Sequence, residues 1–245
     1  MNAGATGLTH ADAGSRDGRN LTYGMLDRIG RAIVTGAYDD TAFPTEAYLA
    51  TEFGVSRSVV REAVKMLGAK GLLTARPRKG TTIQPARYWN LFDPDVLRWL
   101  LERKFSLELL RHFTELRIAI EPAAAALAAR THHHDEFAII SAGYARMVAA
   151  EAGDDDPLDA DIAFHVAILE ACGNPFYRQF RDLVETALRT SIRFTNRFQG
   201  RTADLDQHCA VLEAIARRDP DGAGAAMAAL IVDVQALIAT AEQGS

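Results

Sequence analysis

Asp161 and His165 stand four residues apart, so a helix that carries them presents both on one face. A carboxylate and an imidazole at that spacing can hold one divalent, zinc-type ion; the plainer reading is a surface ion pair. Arg117 sits among Leu116, Ile118 and Ile120, and a charge in apolar surroundings needs a partner. Glu121, four residues on, is one candidate. The other is the carboxylate of an acidic ligand, which a guanidinium grips with two parallel hydrogen bonds. Arg189 and Arg193 repeat the four-residue spacing and are further candidates for an anion, with solvent exposure as the competing fate. His132, His133 and His134 are consecutive; on a helix they point in different directions, so they read as a polar turn between helices. The chain shows no glycine-rich phosphate loop and no nucleophile–base arrangement, and it is not expected to be an enzyme.

A second kind of chemistry concerns polyanions. The 245 residues carry a net charge of -5, yet the distribution is uneven. Between Ser56 and Arg87 eight basic residues meet one acid, Glu62, whereas from Trp89 onward 24 acids outnumber 15 bases. A basic segment on an acidic chain is the footprint of nucleic-acid binding. Ser56, Arg57, Ser58 and Arg61 open a helix, where free backbone N–H groups favour phosphate oxygens. Arg57 and Arg61 share a face and can grip phosphate or hold a guanine edge bidentately.

The elements that must position these groups can be read from periodicity. Leu21, Met25, Leu26, Ile29, Ile33 and Val34 mark a first helix, ended by Asp39-Asp40 and Pro44. Thr45–Phe53 is a short second helix closed by Gly54. Ser56 caps a third, whose stripe is Val59, Val60, Ala63, Val64 and Leu67. Two short helices joined by a glycine turn form a helix-turn-helix. Residues 72–76 and 81–84 then read as two strands around the basic turn Pro77-Arg78-Lys79-Gly80, a wing. Everything after Pro94 is helical in pattern, an all-α bundle of six or seven helices, with one long helix expected from Pro175 to about Phe198. The fold expected is thus mainly α: a winged helix-turn-helix over 21–85, a linker over 86–95 and a helical domain over 96–242, behind a disordered tail over 1–20. No apolar run of the roughly 18 residues needed to span a bilayer is evident, nor a secretory leader. Two cysteines, Cys172 and Cys209, give no disulfide framework, which suits a reducing cytoplasm.

The stretch FPTEAYLATEFGVSRSVVREAVKMLGAKGLL, followed by RPRKGTTI, resembles the DNA-binding domain of GntR-family transcriptional regulators. The resemblance implies that Thr45, Ser56, Arg57, Arg61 and the wing through Gly80 touch DNA. Ser58, Arg78 and Lys79 join them from their position and charge. One departure stands out: many members carry an arginine directly after the Pro-Ser/Thr-Glu triplet, and here that position is Ala47. From Leu97 to Ala241 the chain is similar to the FCD-type ligand-binding domain of the FadR-like subfamily. The similarity lies in Leu116-Arg117 with Glu121, Asp161 and His165 before Gly173-Asn174-Pro175, and His208 before Asp219.

That resemblance implies a metal site of Asp161, His165 and His208, with Leu230 where the family places a further histidine. Three ligands can still hold an ion with open positions; alternatively the same groups, with Arg117, Arg189 and Arg193, hold the effector directly. Asp233, one turn beyond Leu230, is a weaker substitute ligand. The segment Trp89–Leu97 resembles members associated with sugar-acid catabolism. The function implied is a homodimeric regulator, a repressor by expectation. It would read an inverted-repeat operator and respond to a small carboxylate, and the linker around Trp89–Pro94 would couple the two events. A metal-responsive regulator or a metal-dependent hydrolase are the alternatives.

Overall fold

The computed structural model describes residues 12–39, 41–76, 80–103, 107–131, 133–186, 188–189 and 204–243. The expected wing-tip residues Arg78 and Lys79, and Arg193, lie outside them. The chain divides into two compact units, 1–104 and 105–245.

The first unit opens with α1 (Asp12–Val34), followed by α2 (Glu46–Phe53) and α3 (Arg57–Ala69). β1 (Leu73–Arg76) then pairs antiparallel with β2 (Gly80–Ile83), Leu73 opposite Ile83 and Arg76 opposite Gly80. Thr45 and Ser56 cap α2 and α3 through their hydroxyls, and Gly54 takes the left-handed conformation (φ 64°) that ends α2. Met25, Leu26, Ile29, Ile33 and Val34 of α1 pack with Leu49, Val60, Ala63, Val64 and Leu67 into one core.

Two expectations give way in this unit. The tail expected over 1–20 is helical from Asp12 onward, since extending a helix already nucleated costs far less than starting one. The expected linker over 86–95 is folded onto the winged unit. Trp89 Nε1 donates to Gln84 O at 2.8 Å and Asn90 N to Lys70 O at 3.0 Å. Lys70 Nζ binds Asp93 at 2.7 Å and Asp95 at 2.9 Å. Burial works against the Lys70 charge, but these two carboxylates override it and hold its ammonium above the usual lysine range. The helix that follows, α4 (Pro94–Arg103), belongs to the same unit, because Val96 and Trp99 complete its core.

Gly30 lets α4 approach α1: a Cβ there would overlap the Trp99 ring, which is fully buried and donates to Asp27 Oδ1 at 2.9 Å. Gly30→Ala is expected to destabilise this unit by about 1–3 kcal/mol, the usual cost of overpacking. Both tryptophans, Trp89 and Trp99, lie in this unit. Denaturant unfolding followed by tryptophan fluorescence therefore reads the change, and an unshifted midpoint would refute it.

The second unit contains α5 (Leu107–Thr131), α6 (His134–Ala152), α7 (Pro157–Ala171), the single turn α8 (Pro175–Arg178), α9 (Leu205–Ala216) and α10 (Pro220–Gln243). The long helix expected from Pro175 is interrupted. The N–H groups of Gln179 and Phe180 turn back to carbonyls three residues earlier, and regular spacing resumes only when Val184 bonds Phe180. α5 packs along α10 and α6 against α7. Alanines 124, 125, 128 and 129 keep α5 slim, and Gly224 faces the Pro122 carbonyl directly. By length and apolar content alone α10 could cross a membrane, contrary to the expectation that no such run exists, and 28% of its apolar stretch is buried within the chain. His133 precedes α6 as its N-cap and His134 begins it, as a turn between helices requires; His132 lies outside the described residues.

Candidate functional site

On the winged unit, the starts of α2 and α3 and the second strand line one groove of about 1050 Å³, whose walls include Thr45, Arg57, Arg61 and Gly80. Thr45 Oγ1 accepts from Tyr48 N at 3.2 Å and Ser56 Oγ from Val59 N at 3.4 Å. Ser56 and Ser58 hydroxyls share a 2.8 Å bond. A hydroxyl that caps a helix still owns a proton to donate, so Thr45 combines a structural role with a free donor at the surface. Arg57 is exposed. Arg61 reaches Glu46 at 3.5 Å with its side chain 69% exposed, a pairing too weak in water to withhold it from phosphate. Gly80, with φ 76°, starts β2.

In the helical unit a chain of polar groups lies buried where α5, α7 and α9 contribute side chains. Arg117, Glu121, Asp161, His165 and His208 are all less than a tenth exposed. Arg117 Nε donates to Glu121 Oε1 at 2.5 Å, and its Nη2 donates to Oε2 at 3.4 Å. Glu121 Oε2 lies 2.6 Å from His165 Nδ1. The other ring nitrogen, His165 Nε2, faces Asp161 Oδ1 at 3.2 Å, and His208 Nε2 faces the same oxygen at 3.3 Å. His208 Nδ1 donates to the Asp204 carbonyl at 2.6 Å. The two imidazoles stand edge to face, with centroids 5.5 Å apart, and Phe164 touches both rings edgewise.

Burial alone would raise the Glu121 carboxyl, yet the Arg117 charge and the His165 ring bring it down to about 2. Burial likewise opposes protonation of His165, but the Glu121 charge and Asp161 raise it to about 9. Asp161, despite its burial, is held well below the usual carboxylate range by the two imidazoles.

The group fits a metal ion by its own chemistry. One atom each of Asp161, His165 and His208 lies within 4.8 Å of the others. Asp161 Oδ1 and His208 Nε2 are buried without a hydrogen-bond partner among the described residues, a costly state for polar atoms. Zinc-type ions take this mixture of nitrogen and oxygen donors. Leu230 is buried on α10 and offers no ligand atom. Asp233 is engaged elsewhere, accepting from Gln207 Nε2 at 2.6 Å on an exposed face.

Two of the arginines expected at an anion site are committed to other partners. Arg117 is held by Glu121. Arg189 bonds Asp159 at 2.7 Å and Glu185 at 3.2 Å, with its side chain 41% exposed. Charged side chains with carboxylates in reach pair locally, and these pairs account for both. From the residue order Glu121 is a candidate partner of Arg117 and part of the FCD-like pattern, with nothing to link it to a histidine. Its contact with His165 spans 44 residues and has no local signal.

A winged helix-turn-helix followed by a helical unit with a buried polar centre is the architecture of a class of bacterial transcriptional regulators. The chain belongs to the GntR family of bacterial regulatory proteins, whose model matches residues 25–83, and it carries an FCD domain over 112–233. It is 35% identical to the HTH-type transcriptional regulator YieP of Escherichia coli (strain K12) over 216 residues, 87% of this chain and 93% of that one. It is 32% identical to the galactonate operon transcriptional repressor of the same organism, over 86% and 95% of the two chains. A solved structure titled for Lar, which controls the Listeria monocytogenes agr system, shares the fold at TM-score 0.52 and 17% identity, covering 96% and 99% of the two chains. The chain is accordingly a DNA-binding transcriptional regulator, and its relatives are regulators, not enzymes.

Proposed function

We propose that this regulator works as a homodimeric repressor in the cytoplasm, releasing an inverted-repeat operator when a small carboxylate, a sugar acid, binds in the helical unit. In this reading Thr45, Ser56, Arg57, Ser58, Arg61, Gly80 and the wing-tip pair Arg78 and Lys79 contact DNA. Two copies related by a twofold axis would each read one half-site. Asp161, His165 and His208 would hold one divalent ion of the zinc type, which when bound supplies open positions for a carboxylate oxygen. The observation that carries the reading is the convergence of three buried ligand atoms, two of them without a hydrogen-bond partner among the described residues. The kinship with a galactonate operon repressor favours a hydroxylated acid as effector. Arg117 and Arg189 already have carboxylate partners, which favours the ion over either arginine as the anchor of that acid. An ion acting as the signal itself is the weaker alternative, because Leu230 leaves the centre one ligand short for tight retention.

The experiment is fluorescence anisotropy of labelled DNA from upstream of the chain's own gene, titrated with hexonates and other small carboxylates, with and without chelator. One acid is expected to release the DNA, and chelator to abolish that release. DNA binding that no acid alters would overturn the effector assignment and leave the operator assignment standing.

A further inference from the structure

We propose that Glu121 is the positioning residue of the buried centre, fixing which nitrogen of His165 faces Asp161 and His208, and that Arg117 serves as the counter-charge of Glu121; this rests on the metal reading above. An imidazole presents a lone pair on one nitrogen only when its proton is held on the other. Glu121 Oε2, 2.6 Å from His165 Nδ1, accepts that proton's hydrogen bond, so that Nε2 is the nitrogen turned toward Asp161 and the one that gives up its proton to an ion. The Asp204 carbonyl does the same for His208. Three ligand atoms thus converge on one point, where either a proton on His165 Nε2 or a cation answers the Asp161 charge.

Arg117 takes part in this without touching the centre. Its guanidinium is only 2% exposed and bonds both oxygens of Glu121. It cancels the second carboxylate, and once an ion has displaced the His165 proton the only formal charge among the three ligand groups is that of Asp161. A divalent ion would then retain one net positive charge, which suits a monoanionic carboxylate. The role of Arg117 is therefore to neutralise and orient Glu121, not to anchor an effector.

A purely structural Glu121, present only to neutralise Arg117, makes different predictions, and three variants separate the two. Zinc affinity is measured by competition with a chromophoric chelator, the Co(II) absorption spectrum reports ligand geometry, and thermal unfolding is followed on metal-free protein. Glu121→Gln leaves a buried arginine unpaired and is expected to lower both stability and zinc affinity. The double variant Arg117→Met/Glu121→Gln removes both charges. It is expected to recover metal-free stability while binding zinc about 10–100-fold more weakly than the wild type, the usual cost of losing such a supporting group, with a shifted Co(II) spectrum. Arg117→Met alone leaves Glu121 on His165 and is expected to bind zinc at least as tightly as the wild type. Wild-type zinc affinity in the double variant, or loss of zinc by Arg117→Met equal to that of Glu121→Gln, would overturn the positioning role alone. Absence of zinc binding by the wild-type chain would overturn the metal reading and this role together.

Discussion

Alanine at both Arg57 and Arg61 is expected to weaken operator binding by about 10²- to 10⁴-fold at fixed salt. A well-placed arginine contributes about 1–3 kcal/mol of base discrimination, and each phosphate left without its cationic partner also lowers the salt dependence by nearly one counterion. Both side chains stand at the exposed start of α3, on the walls of the groove that Thr45 and Gly80 also line. Arg61 gives up only a 3.5 Å pairing with Glu46, and surface substitutions of this kind rarely change stability by more than about 0.5 kcal/mol. The effect should therefore appear in DNA affinity with unfolding midpoints unchanged. The single variants divide the roles. An arginine on a base edge, once removed, relaxes preference at one operator position, whereas an arginine on phosphate weakens all sequences alike. A double variant that binds the operator as tightly as the wild type would remove this helix start from the interface.

Stability of the metal-free protein and its affinity for zinc are expected to move in opposite directions between pH 6.5 and 9. His165 is raised from its ordinary 6.5 to about 9 by Glu121 and Asp161 against the opposing effect of burial. A group raised on folding contributes stability that is fully present below 6.5 and disappears as pH climbs through 9. The elevation corresponds to about 3 kcal/mol. Zinc must displace that proton, so its affinity should rise about tenfold per pH unit over the same interval. At the acid end, Glu121 is depressed from 4.5 to about 2, and its contribution is lost as pH falls through that range. The Glu121–His165 attraction is one interaction seen from both partners, so the two contributions are not added. The metal-free centre is thus most stabilising between about pH 4.5 and 6.5. Denaturant unfolding in chelator at several pH values, beside zinc competition titrations, measures both slopes. A stability that stays flat from pH 6.5 to 9 would show that His165 is neutral throughout.

What could be read directly from the residue order is what depends on neighbours within a turn or two. Ser56 caps α3, Gly54 ends α2, the stripe Val60, Ala63, Val64 and Leu67 is buried with Val59 half-buried beside it, and two strands form the wing. Asp161 and His165 share a face for the same reason. Local composition misleads where packing with distant elements decides the outcome. Pro85–Pro94 has a linker's composition, yet Lys70 and Gln84 tie it down from elements earlier in the chain. The run after Pro175 has a helix's composition, yet it tightens and restarts at Gln179 and Phe180.

The order of residues thus carried the winged helix-turn-helix, the helical second unit and the shared face of Asp161 and His165, because capping, periodicity and i, i+4 spacing are short-range; His208 entered only through the resemblance to the FCD-type domain. Only the tertiary structure decided that α4 completes the core of the winged unit, that Arg117 is held by Glu121, and that Glu121 orients His165 from 44 residues away. The physical reason is that helix packing sets which faces meet. A buried charge takes the partner that packing brings within hydrogen-bond reach, whatever its distance along the chain.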